Sequence, residues 1–379
     1  MPADSIWTSF RKQMPITAKW AYFDHAAVAP LPDPAREVIQ EYADSYATLG
    51  TTNWPYWRKK IEAARNHAAT LIHADAENIA IVHSTTEGIG LVAEGFNWRD
   101  GDNVVIPDSE FPSNVFPWLN LAHRGVETRQ VPCPEGRIDI DQLFAACDER
   151  TRIISLSWVG YTTGWRTDLA DVCELAHARG IRVFVDAIQG MGVLELDVQT
   201  VPIDFLAADG HKWMLGPEGA GVFYVRRDRL DELHPLGVGW NSIRDAGNFS
   251  HPEFNLKPNV GRYEGGTYNM VGTAGLAASL ELLANAGIRH VSERMHTVTE
   301  ELCERLRTIG AEIASTRDAE KWSGIVAFDM PNKSPLAIKK HCEQNGVALN
   351  YRGGHLRASP HVYTNSDDID RLIDTMRTP

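Results

Sequence analysis

The sequence predicts an α/β protein built on a mostly parallel sheet that lies between helices. Short apolar runs alternate with helical stretches from about residue 79 to residue 225. Several runs are apolar at every position, which is typical of strands buried on both faces. The chain has 379 residues, more than the roughly 250–300 residues at which one hydrophobic core stops growing. Two domains are therefore expected.

The first part of the chain contains enough strand candidates for a seven-stranded sheet. They are IAIVHS (79–84), NVVIPD (103–108), TRQVPC (128–133), RIISLSWV (152–159), RVFVDAI (182–188), DFLAAD (204–209) and GVFYVRR (221–227). Helical patterns lie between them, and the one over 168–179 ends at Gly180, as a C-capped helix does. Repeated strand–helix units favour parallel strands with helices on both faces.

The rest of the chain predicts a smaller α+β domain. A loop rich in Gly, Asn and Pro over 237–269 links it to the first part. The later elements are helices over 273–286, 288–309 and 335–345, strands near 324–330, 347–350 and 356–359, and a closing helix from Ser366. We predict a large domain over 17–255 and a small α+β domain over 256–379, with segment 1–16 packing against the small domain.

Composition narrows the possible partners and the compartment. A net charge of −13 argues against nucleic-acid or anionic-membrane partners, which need a clustered basic surface. The N-terminus lacks an apolar signal region, and no apolar run reaches the roughly 20 residues of a membrane span. The five cysteines are odd in number and form no CxxC pair, which favours a reducing, cytoplasmic location over disulfides or a zinc site.

Ligands of open α/β sheets bind beyond the carboxyl ends of the strands. Lys212 lies there, in ADGHKWMLGPEGAG. A lysine at the end of a buried strand loses hydration, which lowers its pKa and makes it a nucleophilic amine. In this context we favour that interpretation over a surface lysine with a buried stem.

Asp186 follows the buried run RVFV. A carboxylate at the mouth of such a strand is costly unless a cation meets it, and a protonated pyridine nitrogen is such a cation. The alternative is that Asp186 caps the next helix. Ser84-Thr85-Thr86 likewise ends a strand and opens a helix, where free N–H groups and hydroxyls favour an anion; plain helix capping is again the alternative.

Together, AIVHSTTEGIGLVAEG, VFVDAIQGMG and DFLAADGHKWMLGPEGAGVFYVR resemble the class V aminotransferase family of fold-type I enzymes that depend on pyridoxal 5′-phosphate (PLP). YFDHAAVAPLP and RGGHLRASPHVYTNSDDIDRL extend the resemblance to nearly the whole chain. The family includes cysteine desulfurases, selenocysteine lyases and isopenicillin N epimerase-like proteins.

The resemblance implies a role for each matching residue. Lys212 holds PLP as a Schiff base, Asp186 pairs with the pyridine nitrogen, and Gln189 reaches the phenolic oxygen. Residues at the phosphate are Thr85, Thr86, His211 and, from a partner subunit, Thr267, so a homodimer with a shared active site is implied. Arg357 binds the carboxylate of the substrate, a contact that suits its planar fork.

Departures from the family pattern bear on the reaction. Phe111 stands where desulfurases have a ring-stacking His, and the resemblance places it over the cofactor ring. Trp158 stands where many relatives have Asn or His, and it is expected to contact the substrate. Asp209 replaces a phosphate-binding Ser of some relatives, and we expect its carboxylate to point away from the phosphate or to cap a turn. The link 351–357 lacks the cysteine that accepts sulfur in desulfurases.

The sequence thus favours a PLP-dependent enzyme acting on an amino acid by a C–S β-lyase or desulfurase-like reaction. The alternatives are an isopenicillin N epimerase-like epimerase or a class V aminotransferase, and, more distantly, a PLP-binding protein without catalysis.

Overall fold

A computed structural model describes residues 3–377 of the chain. The strands are β1 (Ala21–Tyr22), β2 (Ile79–Val82), β3 (Asn103–Pro107), β4 (Glu127–Val131), β5 (Thr151–Ser157), β6 (Arg182–Asp186), β7 (Phe205–Asp209), β8 (Gly221–Val225), β9 (Glu312–Ile313), β10 (Val326–Asp329), β11 (Val347–Ala348), β12 (Asn350–Arg352) and β13 (His355–Ala358). The helices are α1 (Ala3–Lys12), α2 (Asp33–Leu49), α3 (Trp54–Leu71), α4 (Thr85–Gly95), α5 (Phe116–Leu119), α6 (Ile140–Ala145), α7 (Leu169–His177), α8 (Met270–Ala286), α9 (Ile288–Arg307), α10 (Pro335–Gln344) and α11 (Ser366–Arg377).

The large sheet has the strand order β2-β8-β7-β6-β5-β3-β4. The five strands from β7 to β4 in this order are parallel to their neighbours. β8 is antiparallel to both β7 and β2. All seven strand predictions, and the mostly parallel α/β fold that they imply, are confirmed.

Helices cover both faces of this sheet, which explains why its strands are apolar at successive positions. Val183 and Val185 of β6 face a core that they share with α3, α7 and α8. Phe184, between them, faces the opposite core, which includes residues of α4. Every position of a central strand is therefore buried, as the continuous apolar runs predicted.

A four-stranded antiparallel sheet of order β12-β13-β10-β9 forms the smaller part of the molecule. Its own core includes residues of α9 and α11. The first strand of the chain joins this region, because β1 pairs in parallel with β11 through Ala21 and Val347.

The packing of segment 1–16 on the small domain stays a prediction, because Phe10 and Met14 lie in the core that the large sheet shares with its helices, while one ion pair reaches the smaller part. Arg11 of α1 forms an ion pair with Asp368 of α11 at 2.6 Å. The predicted boundary at residues 255 and 256 stays a prediction, because α8, which follows it, packs against α2 and α3. Within 3–377, no single helix is long and apolar enough to span a membrane, and α8 and α9 reach that length only together, across a bend of 83°.

Candidate active site

A cavity of about 300 Å³ lies at the carboxyl ends of the central strands. Most residues predicted for the site line it: Thr85, Thr86, Phe111, Asp186, Gln189, His211, Lys212 and Arg357. Because β6 and β7 are parallel neighbours, the ends that carry Asp186 and the Lys212 loop emerge side by side. The topology therefore collects chemical groups that lie far apart in the sequence.

Asp186 and Lys212 are the central pair of this cavity. Asp186 is the last residue of β6 and is 2% exposed. Burial raises the pKa of its carboxyl to about 6. Burial also lowers the pKa of the Lys212 amine to about 8, although the charge of Asp186 acts in the opposite direction. An amine with that pKa is partly neutral near physiological pH, so it can serve as a nucleophile or a general base.

Phe111 forms one wall of the cavity. Lys212 Nζ lies 5.8 Å from the centroid of its ring. Tyr161 meets the same ring edge-on at 5.3 Å. Phe111 is 45% exposed, which leaves its face free for a flat ligand.

Glu110, which the sequence did not predict as a site residue, anchors the segment that carries Phe111. Its carboxylate accepts hydrogen bonds from Ser157 N at 2.7 Å and from Asn114 Nδ2 at 2.9 Å. Burial raises the pKa of this carboxyl to about 7. No local pattern marked Glu110, because its burial depends on β5, which is distant in sequence.

The start of α4 forms the opposite end of the cavity. Ser84 caps the helix, with its Oγ accepting a hydrogen bond from Glu87 N at 3.1 Å. Thr85 Oγ1 accepts a hydrogen bond from Asp209 N at 2.9 Å, and Thr86 Oγ1 donates to Ser113 Oγ at 2.8 Å. Capping and ligand binding are compatible here, because the first N–H groups of a helix outnumber its caps.

Asp209 lines the same end of the cavity. Its Oδ2 lies 3.1 Å from His211 Nδ1, and its Oδ1 is buried without a hydrogen-bond partner among the described residues. The expectation that its carboxylate points away from the phosphate or caps a turn stays a prediction.

Gln189 and Arg357 are held in place by their neighbours. Gln189 Nε2 donates to the Ala26 carbonyl at 3.0 Å, and its Oε1 accepts from Trp213 Nε1 at 2.8 Å. Arg357 is 2% exposed, and its Nη1 donates to the Tyr161 carbonyl at 2.6 Å. Arg357 Nε is buried and has no hydrogen-bond partner among the described residues. That unused donor suits a carboxylate ligand.

Two predicted site residues do not line the cavity. Trp158 is 4% exposed and packs in the core behind it, against Gly190. The predicted contact of Trp158 with the substrate is therefore not found, because its side chain fills the space that a glycine leaves. Thr267 is exposed and lies at a different pocket, beside His83 and Asn269. Its role across a subunit interface stays a prediction.

Arg352 lines the cavity although the sequence analysis gave it no role. It is exposed, and its guanidinium forms no hydrogen bond or ion pair with another residue of the described chain. Its positive charge lowers the pKa of both Lys212 and Arg357. Its position at the end of β12, opposite β13, brings it there, which a local pattern does not reveal.

No cysteine within 3–377 lines the cavity. Burial raises the pKa of the Cys133 thiol to about 11 and that of Cys342 to about 12. These thiols are therefore poor nucleophiles at neutral pH. The same described residues include no group of three or more His, Cys, Asp or Glu side chains that could hold a metal ion.

The sequence matches the family described as Aminotransferase class-V over residues 21–372. The probable cysteine desulfurase of Methanothermobacter thermautotrophicus is 32% identical over 388 residues, covering 97% of this chain and 96% of that protein.

Solved structures of a protein called C-DES share the whole architecture. A C-DES mutant with glycine covalently linked to its PLP cofactor has a TM-score of 0.90 at 26% identity, covering 97% of this chain and 99% of that chain. The complex of the cystine C–S lyase C-DES with its reaction product, cysteine persulfide, has a TM-score of 0.89 at 27% identity, with the same coverage.

Proposed function

This chain belongs to the class-V aminotransferase family and is a PLP-dependent enzyme, and we propose that it is a C–S β-lyase that acts on a cysteine derivative such as cystine. Relatives of this chain are named as a cysteine desulfurase and a cystine C–S lyase. Of these two reactions, we favour the C–S lyase reaction.

The residues of the cavity fit PLP. Asp186 offers a buried carboxylate for the ring nitrogen, and Lys212 an amine of lowered pKa for the aldehyde. Phe111 offers a ring face, and the start of α4 offers N–H groups for the phosphate. When bound, PLP supplies an electron sink that stabilises negative charge at the substrate Cα.

Each of these residues then has a defined task toward the substrate. The Arg357 guanidinium binds the carboxylate and fixes the orientation of Cα. Lys212 Nζ takes the proton from Cα, since it is the amine of lowered pKa in this cavity. The Cβ–S bond breaks, sulfur leaves with the bonding electrons, and addition of water releases the carbon skeleton as pyruvate and ammonium.

The observation that carries the lyase proposal is the lack of a cysteine in the cavity lining of the described chain. A desulfurase needs a protein thiolate to take sulfur from cysteine. A lyase acting on cystine needs none, because the departing sulfur already carries a second sulfur and leaves as cysteine persulfide. That product is the one named for the C-DES complex.

Product analysis tests the proposal. Purified holoenzyme is incubated with L-cystine and, separately, with L-cysteine, and pyruvate, alanine and persulfide are quantified. We expect pyruvate and persulfide from cystine in equal amounts. The variant Lys212→Ala should lose the activity, whereas the exposed control Lys340→Ala should retain it.

Other products would overturn the lyase proposal in different ways. Alanine together with sulfur bound to the protein would identify a desulfurase. Deuterium at Cα of an otherwise unchanged substrate, with the reaction run in heavy water, would identify an epimerase. Transfer of the amino group to a keto acid would identify an aminotransferase.

We also propose that the enzyme is a homodimer in the cytoplasm. Trp240 and Phe249 are exposed, and their ring centroids lie 6.1 Å apart. Trp54 lines the same surface pocket. Arg58 links this exposed cluster to Tyr268, the neighbour of Thr267. A partner that covers the cluster would therefore meet the Thr267 segment as well. All five cysteines are free, which supports a reducing compartment.

A further inference from the structure

The phosphate end of the cavity contains an acidic side chain. Asp209 ends β7, and its side chain is 9% exposed. It lines the cavity beside Thr85, Thr86 and His211. Its backbone N–H donates to Thr85 Oγ1 at 2.9 Å, which fixes the end of β7 against the start of α4. Asp209 is therefore held at a fixed position beside the cavity, where some relatives have a hydroxyl group.

The two oxygens of this carboxylate differ. Oδ2 lies 3.1 Å from His211 Nδ1, a contact that lacks hydrogen-bond geometry. Oδ1 is buried and has no hydrogen-bond partner within the described chain. A buried carboxylate oxygen without a donor is costly. Because Asp209 lines the cavity, a turn of its carboxyl group would bring this unpaired acceptor to a ligand with a donor.

The charged side chains that line the cavity with Asp209 are Asp186, Lys212, Arg352 and Arg357. Among these cations, Lys212 interacts with Asp209, whereas Arg352 and Arg357 belong to the β12–β13 hairpin. Nearby hydroxyls are partly committed, since the Thr86 hydroxyl donates to Ser113. A fully ionised phosphate would meet the Asp209 carboxylate at close range, which is unfavourable.

We propose that Asp209 makes this site bind the PLP phosphate as its monoanion, with the remaining P–OH group donating a hydrogen bond to the Asp209 carboxylate. This inference rests on the proposed function, because it requires PLP. The second pKa of a phosphate monoester is about 6, so free PLP is mostly a dianion at neutral pH. One proton is therefore taken from solvent on binding, and it is shared by the phosphate and Asp209 as a coupled pair.

Phosphorus-31 NMR of the holoenzyme tests the inference directly, because the shift of a phosphate ester reports its ionisation. We expect the bound phosphate of the wild type to keep a monoanion shift well above the midpoint of about pH 6 shown by free PLP. Asp209→Asn has the same shape but carries no charge, and Asp209→Ser restores a hydroxyl group. Both variants should give a dianion shift at neutral pH.

Calorimetry provides a second readout that does not depend on activity. PLP is titrated into apoenzyme at about pH 8, in buffers of different ionisation enthalpy. Wild type should take up about one proton more than Asp209→Asn, and the comparison cancels the contribution of Lys212. If the variants fail to fold, the NMR titration of the wild type alone still decides the question.

The outcomes separate this inference from the proposed function. A dianion shift in wild-type holoenzyme at neutral pH, or equal proton uptake by wild type and Asp209→Asn, overturns the role of Asp209 and leaves the lyase proposal intact. Absence of bound PLP, seen as no visible absorbance after reconstitution, overturns both.

Discussion

Asp186 illustrates at the residue scale how a functional group costs stability. Its carboxyl has a pKa of about 6 in the folded protein without a ligand, against 3.8 for an unperturbed group. The folded state therefore binds this proton more tightly than the unfolded chain does. The free energy of unfolding of the apoprotein consequently decreases as the pH rises from about 4 to about 6.

We expect Asp186→Asn to stabilise the apoprotein at about pH 8, because a neutral amide replaces a buried charge. The shift in pKa corresponds to about 3 kcal/mol as an upper limit. Urea unfolding of wild type and Asp186→Asn at about pH 8 and about pH 4 measures the difference in their free energies of unfolding, which should vanish at the lower pH. The same variant should lose the lyase activity. At about pH 8, an Asp186→Asn apoprotein that is no more stable than the wild-type apoprotein contradicts this account.

Glu110 shows how one buried carboxyl group orders several neighbours. Its carboxylate accepts from Asn114 Nδ2 and from Ser157. Asn114 cannot turn its amide round, because its Oδ1 already accepts from Trp118 Nε1 and Ser155 Oγ. Glu110→Gln therefore places its NH₂ group against a donor in either orientation, against Asn114 Nδ2 or against the Ser157 N–H. We expect a loss of about 1–3 kcal/mol of stability.

Thermal unfolding of the apoprotein at about pH 8, where the carboxyl is mostly ionised given its pKa of about 7, tests this prediction. Glu149→Gln is the matched control, since that glutamate is exposed. Equal melting temperatures for Glu110→Gln and the control would show that the hydrogen bonds of Glu110 carry no net stability.

At the element scale, the β12–β13 hairpin shapes the substrate side of the cavity. The hairpin turns at Gly353 and Gly354, both of which have positive φ, a conformation that favours glycine. The tight turn places Arg352 and Arg357 of adjacent strands at the same cavity. Arg357 is buried, with its Nη2 3.5 Å from Asp24 Oδ1, whereas Arg352 is exposed, so the two offer separate contacts for carboxylates.

We expect Arg352→Ala to raise the KM for cystine about fivefold, since an exposed charged contact contributes on the order of 1 kcal/mol. An S-alkyl cysteine, which lacks the second carboxylate, should be affected much less. Steady-state kinetics with both substrates measure the difference. Arg307→Ala, exposed on α9, is the control. Equal effects on both substrates would assign Arg352 to another role.

The elements that the sequence predicted are those that local pattern determines. All seven strands of the large sheet were found, because strands buried on both faces are apolar throughout. Because the ends of these strands were predicted, site residues located there, such as Asp186 and Lys212, were predicted as well. β1 was not predicted, because a two-residue strand has no pattern of its own and depends on β11. Arg352 was likewise missed because β13 and the fold of the hairpin bring it to the cavity.

At the scale of the whole molecule, the exposed aromatic cluster of Trp54, Trp240 and Phe249 predicts assembly. Trp240→Glu places a charge within it, and we expect a shift from dimer to monomer in light scattering. PLP should also bind more weakly, because Thr267 of the partner would be lost from the phosphate. Leu336→Glu is the control, at a leucine that is 62% exposed on α10. A dimer that is unchanged by Trp240→Glu would place the interface elsewhere.

The pairing of β1 with β11 has a consequence for biosynthesis. Ala26, Ala27 and Val28, which line the cavity, follow β1 in the chain, whereas its partner strand β11 is synthesised much later, at Val347–Ala348. At about 5–20 residues per second, this separation corresponds to a delay on the order of tens of seconds. A nascent or truncated chain that stops before β11 therefore lacks the strand pairing that holds this wall of the pocket.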